Sequence, residues 1–142
     1  MAKCPIRNVN GTEIIGKGQV TNGPGGMVHG QLSELLANKL AMTGKFKKIF
    51  LHRPYKTATG ISTIPKRSPD LIAIGRDGKV HVIELASPSD MLGNKFNELL
   101  TRNATALSQL PNSMQGGSII RIANPFNARQ IKTIIDSWLS GI

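Results

Sequence analysis

The feature that most constrains this chain is a pair of apolar segments, residues 68–74 and 79–85, separated by the turn sequence Gly75-Arg76-Asp77-Gly78. Short runs of β-branched and other apolar residues on either side of such a turn are typical of two strands joined in a hairpin. Segments with helical spacing of apolar residues lie on both sides of this hairpin. We therefore predict an α/β fold organised around it.

The other predicted elements follow from apolar periodicity and from the residues that end each run. Leu32, Leu35, Leu36 and Leu40 have helical spacing, and Gly44 supplies a stop. In chain order we predict a helix at residues 29–43, strands at 48–52, 68–74 and 79–85, a helix at 90–110, a strand at 118–123 and a helix at 126–139. The order is α-β-β-β-α-β-α, with no repeat and no linker.

The beginning of the chain differs from the rest, because glycine and asparagine interrupt every periodic run in it. We predict a flexible arm over residues 1–27, with at most a short strand at Thr12–Ile15, and one domain over residues 28–142. A length of 142 residues suits a single core. The single cysteine, Cys4, excludes an internal disulfide, and no run of 18 apolar residues predicts a membrane span.

The chain has 18 Lys and Arg against 8 Asp and Glu, a net charge of +10. Such an excess on a folded domain favours a polyanionic partner, nucleic acid before a membrane surface. A basic loop precedes the hairpin, and we predict that its side chains contact substrate phosphates. These residues are Arg53, Lys56, Lys66 and Arg67, with Tyr55 among them as a candidate for stacking on an unpaired base.

The three histidines, His29, His52 and His81, lack the spacing of a zinc site. His52, at a strand end beside Arg53, is the one most expected to approach a substrate. Of the eight acids, five have ordinary structural roles as turn, arm, cap or exposed helix residues: Glu13, Asp77, Asp90, Glu98 and Asp136.

The remaining acids are Glu34, on a helix face of small residues, and Asp70 and Glu84, inside apolar strands. A three-residue hairpin loop with Gly78 in the left-handed conformation pairs Asp70 with Glu84. Directly opposed carboxylates are destabilising unless a cation lies between them, and Mg²⁺ binds one or two carboxylates together with waters and phosphate oxygens. A two-residue turn would instead place the two acids on opposite faces, so the register decides whether a metal site exists.

These residues resemble a known family. A helix carrying Glu34, the pair Pro69-Asp70, and Glu84 in the next strand, followed by a helix and a strand, are similar to the αβββαβ core of the PD-(D/E)XK nucleases. The resemblance covers roughly residues 30–124. It implies a restriction-endonuclease-like core, here with an extra C-terminal helix, in which Glu34, Asp70 and Glu84 hold a divalent metal, Mg²⁺.

The chain departs from that family at Ala86, where the family has a lysine that orients water or steadies the phosphate. Several explanations are open. The lysine has moved, with Lys95 the first candidate and Lys66 the second; or the metal suffices alone; or the alanine was introduced to inactivate a toxic enzyme; or the domain binds without catalysis.

The segment from Glu84 through Ser87-Pro88-Ser89 to Asp90 is similar to one in restriction-endonuclease-fold toxin domains of bacterial polymorphic toxins, including contact-dependent inhibition systems. This resemblance implies secretion within a larger toxin, delivery to the target-cell cytoplasm, and an acidic immunity protein as partner. It implies cleavage of tRNA or DNA, and the scarcity of aromatic residues slightly favours tRNA. The alternatives are a non-catalytic nucleic-acid-binding module and a structure-specific DNA nuclease such as a Holliday-junction resolvase.

Overall fold

The protein contains one sheet of six strands, hydrogen-bonded in chain order from β1 to β6. The computed structural model describes residues 6–16, 24–64, 68–86 and 95–122. The elements are β1 (Ile6–Val9), β2 (Thr12–Gly16), α1 (Pro24–Met42), β3 (Phe46–Leu51), α2 (Tyr55–Thr59), β4 (Leu71–Gly75), β5 (Val80–Ala86), α3 (Lys95–Ser108) and β6 (Gln115–Ile122). The predicted α/β class is confirmed.

The directions of the strands bring the carboxyl ends of four strands to the same side of the sheet. β2 is parallel to β3 and β5 is parallel to β6, whereas β1–β2, β3–β4 and β4–β5 are antiparallel. Parallel neighbours need a crossover connection, which α1 provides between β2 and β3 and α3 provides between β5 and β6. The carboxyl ends of β2, β3, β5 and β6 therefore meet the amino end of β4. We call this edge the carboxyl edge.

The two faces of the sheet bury separate apolar clusters, because successive side chains of a strand point to opposite faces. On one side, the α1 face, the cluster includes Leu36 and Leu40 of α1 with Ile14, Ile49, Leu51, Leu71 and Ile83. On the other side, the α3 face, it includes Ala106, Leu107 and Leu110 with Phe50, Tyr55, Ile72, Ile74, Val80 and Val82. Each fully buried Leu, Ile or Val contributes about 1.5–3 kcal/mol to folding, so both helices are held by their apolar faces.

The beginning of the chain requires a correction. Residues 6–16, predicted as part of an arm, form β1 and β2, so that interpretation is wrong for them, although the short strand at residues 12–15 is present. Ile14 is fully buried, and the Thr12 hydroxyl donates a hydrogen bond to the Phe46 carbonyl at 2.6 Å. The residues taken as breakers form the tight turn between the strands, with Asn10 and Gly11 at φ values of 52° and 80°.

The other predicted elements agree with the structure apart from their ends. α1 begins at Pro24, and proline is favoured in the first turn of a helix. The predicted helix at residues 126–139 and the first residues of the predicted helix at 90–110 lie outside the described residues. Within the described part of the chain, no helix is both long and apolar enough to cross a membrane.

Candidate active site

The β4–β5 turn sets the register of the two strand acids. Gly78 has a φ of 87°, and the Gly75 N–H donates to the Lys79 carbonyl at 2.9 Å, closing a three-residue loop. Asp70 directly precedes β4, so extending this register by one residue beyond Leu71 would set Asp70 opposite Glu84. The observed pairs are Leu71 with Ile83, Ile72 with Val82, Ala73 with His81, and Ile74 with Val80.

Both strand acids are buried, Asp70 at 8% exposure and Glu84 at 7%. Ile72 and Val82, two residues further into each strand, belong to the cluster on the α3 face. Strand alternation places the Glu84 side chain on that face, at the carboxyl edge. The same alternation, continued one residue before Leu71, would place the Asp70 side chain there as well. Residues directly opposed in this way have Cβ atoms about 5 Å apart, a separation at which two carboxylates can bind one hard cation.

Glu34 is not brought to this pair, which corrects the prediction that it completes the site. Its Oε2 atom accepts a hydrogen bond from the Arg7 guanidinium of β1. This ion pair lies where α1 packs on β1, and α1 covers the face opposite to Asp70 and Glu84. Among the described residues, no three of the His, Cys, Asp and Glu side chains are grouped closely enough to share a metal ion.

The end of β3 brings two further side chains to the carboxyl edge. The His52 backbone N–H donates to the Asp70 carbonyl at 3.1 Å, and Arg53 Nη1 donates to the His52 carbonyl at 3.0 Å. Gly16, the last residue of β2, allows the guanidinium to pack closely, because a Cβ there would lie 3.3 Å from Arg53 Cζ. The Arg53 guanidinium is thus bonded to the backbone of His52, which is itself bonded to the backbone of Asp70.

Tyr55 has a different environment from the one predicted. It is 1% exposed, and its hydroxyl donates to Asn103 Oδ1 of α3 at 2.9 Å. The ring fills the core of the α3 face, so it cannot stack on a base in this structure. Lys56, the next residue, is exposed on α2 and stays a candidate for phosphate contact.

Comparison with known proteins gives no relative. No family model, curated protein or solved structure matches this chain. Any function therefore has to be supported by the chemistry of the residues at the carboxyl edge.

Ala86 and the two lysines considered as replacements for the family's lysine lie in different parts of the chain. Ala86 is the last residue of β5 and is paired with Ile122 of β6. Lys95 is the first residue of α3, and its side chain is not among those described. Lys66 and Arg67 lie in the gap between residues 64 and 68, outside the described residues.

Proposed function

We propose that the protein is a metal-dependent endonuclease that cleaves phosphodiester bonds in nucleic acid, with Asp70 and Glu84 holding the metal ion. The observation that supports this proposal is the β4–β5 register, in which Leu71 pairs with Ile83, together with the burial of the adjoining acids Asp70 and Glu84. Opposed like charges in a sheet weaken it. A cation held by both carboxylates would offset that repulsion.

The donor set fits Mg²⁺ better than zinc. Mg²⁺ in phosphate chemistry is bound through one or two carboxylates, with waters and substrate oxygens completing its shell. A zinc site needs three or four nitrogen, sulfur or carboxylate ligands, and the described residues contain no group of three. When bound here, Mg²⁺ would supply a Lewis acid and an activated water. Asp70 and Glu84 would hold it, and Arg53 would bind substrate phosphate.

Nucleic acid is the substrate class favoured by charge, since a net +10 attracts a phosphate backbone. Phe46, Phe50 and Tyr55 are all buried, which favours docking by backbone and shape over base stacking. This supports tRNA slightly over DNA. The role as a toxin domain with an acidic immunity protein rests on the Ser87-Pro88-Ser89 resemblance and is part of the proposal.

The test uses isosteric variants that remove charge and keep volume. Wild type, Asp70→Asn and Glu84→Gln are incubated with total tRNA and with plasmid DNA, in Mg²⁺ and in EDTA. We expect metal-dependent cleavage of one substrate by the wild type, reduced by about a hundredfold or more in each variant. Glu98→Gln is the matched control, because Glu98 is exposed on α3, and it should cleave like the wild type.

A second readout does not depend on activity. Mg²⁺ that binds only the folded state raises the melting temperature of the wild type, by the linkage between binding and folding. Asp70→Asn and Glu84→Gln should lose this rise, and Glu98→Gln should keep it. Cleavage that persists in EDTA, or in both acid variants, would refute the metal site.

A non-catalytic binding module is the second candidate, and Ala86 is the observation that favours it, since alanine offers no donor to the attacked phosphate. This candidate predicts binding of tRNA or DNA without cleavage by the wild type. If Ala86→Lys then restores metal-dependent cleavage, the site is an endonuclease site that lacks its lysine.

A further inference from the structure

His52 follows β3 at the carboxyl edge, and two of its features lower the stability of the folded protein. Its φ of 50° is in the left-handed region, which is unfavourable for a residue with a Cβ. Its Nδ1 atom is buried and has no hydrogen-bond partner within the described part of the chain. A buried polar atom without a partner is a second source of lost stability.

The side chain of His52 is half-buried, so it is not one of the fully buried side chains of the core. Glycine would adopt the left-handed conformation without strain, and asparagine with less strain than histidine. Residues held in sparsely populated backbone conformations are concentrated at functional sites.

Hydrogen bonds of its backbone N–H and carbonyl groups hold His52 in place. Its N–H is bonded to the Asp70 carbonyl, and its carbonyl accepts from Arg53. The Arg53 guanidinium is held in turn against Gly16. His52 and Arg53 are therefore connected through backbone carbonyls to Asp70 at the carboxyl edge. Their side chains, an imidazole and a guanidinium, can both donate hydrogen bonds to an anion.

We propose that His52 and Arg53 form a binding site for a backbone phosphate of the nucleic acid, in the place of the lysine that is absent at Ala86. That this phosphate is the one cleaved rests on the proposed endonuclease function. The imidazole N–H and the guanidinium donate to the phosphate oxygens, while Asp70 and Glu84 lie on the metal side. These hydrogen-bond donors thus lie just after β3, whereas the family's lysine would lie in β5.

The experiment compares His52→Gly, His52→Asn and Arg53→Gln with the control Lys39→Gln, an exposed basic residue of α1 on the other face. Affinity for tRNA and for plasmid DNA is measured in EDTA, where cleavage cannot interfere, and cleavage is measured in Mg²⁺. His52→Gly should melt at or above the wild-type temperature, because glycine removes the backbone strain.

We expect His52→Gly to lose about tenfold in affinity and in cleavage rate, with His52→Asn intermediate because it keeps an N–H donor. Arg53→Gln should reduce the slope of log affinity against log salt by about one, as expected for one lost phosphate contact. Lys39→Gln should leave both cleavage and binding unchanged. If His52→Gly melts below the wild-type temperature, the comparison uses His52→Asn, provided that this variant melts at the wild-type temperature. An affinity of His52→Asn equal to that of the wild type would then overturn the proposal.

The two proposals fail separately. Wild-type affinity and cleavage in His52→Gly would overturn the phosphate site, while a loss in Asp70→Asn would still support the endonuclease. If the wild type cleaves neither substrate, the endonuclease proposal fails. A tenfold loss of affinity in His52→Gly would then still establish the phosphate site, and unchanged affinity would overturn it.

Discussion

The hydrogen bond between Tyr55 and Asn103 offers a direct test of the α3 face. Both side chains are 1% exposed, and the hydroxyl lies 2.9 Å from Asn103 Oδ1. Asn103 Nδ2 has no partner within the described residues. Tyr55→Phe removes one oxygen and leaves the buried amide of Asn103 without this bond. A buried polar group in that condition costs about 1–3 kcal/mol.

The magnitude is best measured as a double-mutant cycle in urea. Tyr55→Phe should lower the free energy of unfolding by about 2 kcal/mol. Asn103→Leu should also destabilise, because it removes the acceptor of the tyrosine hydroxyl's hydrogen bond. The double variant leaves neither polar group, so it should be more stable than the sum of the single effects by at least about 1 kcal/mol. The slope with urea concentration should not change.

Two results would contradict this description of the pair. A cost below about 0.5 kcal/mol for Tyr55→Phe, with additive single effects, would mean that the bond is not formed in a buried site. A folded Tyr55→Phe protein that binds tRNA tenfold more weakly would mean that the tyrosine hydroxyl contacts the substrate. We expect its affinity for tRNA to equal that of the wild type.

Two other predictions concern stability. Burial lowers the pKa of His81 below its usual value of about 6.5, so between pH 7.5 and 5 the unfolded chain takes up a proton that the folded ring resists. As the pH is lowered, the free energy of unfolding should therefore decrease more steeply in the wild type than in His81→Gln. Equal slopes would contradict this prediction. Gly16→Ala, with φ at 98° and a Cβ 2.6 Å from the Leu51 carbonyl oxygen, should destabilise by more than Gly60→Ala. Gly60, at φ 79°, has open space around it, so Gly60→Ala measures the backbone strain alone, about 1–3 kcal/mol in urea unfolding. Equal losses of stability in the two variants would exclude the clash with the Leu51 carbonyl oxygen.

The central part of the fold was predictable because its signals are local. The leucine spacing of α1 and the turn chemistry at Gly78 act over a few residues, and each has a single low-energy outcome. The turn alone was enough to predict the β4–β5 register, which is observed with Leu71 opposite Ile83. The register of a hairpin depends on its turn and not on contacts with the rest of the sheet.

The remaining features depend on distant contacts. β1 and β2 have only four and five residues, and β2 is held by parallel pairing with β3 across α1. Glu34 was misassigned for the same reason, since its partner Arg7 lies in β1. The five-residue helix α2 is too short to show a period, so the burial of Tyr55 had no signal, and neither did the φ of His52.

The chain-order arrangement of the strands has a consequence for how the protein folds. The β4–β5 pair closes the four-residue connection 76–79, whereas residues 17–45 and 87–114 must be spanned before β2 meets β3 and β5 meets β6. Loop-closure entropy rises with the length of the connection, so the hairpin is among the least costly sheet contacts to form. The strand ends that adjoin Asp70 and Glu84 are thus brought together early, before β2 has met β3 and β5 has met β6.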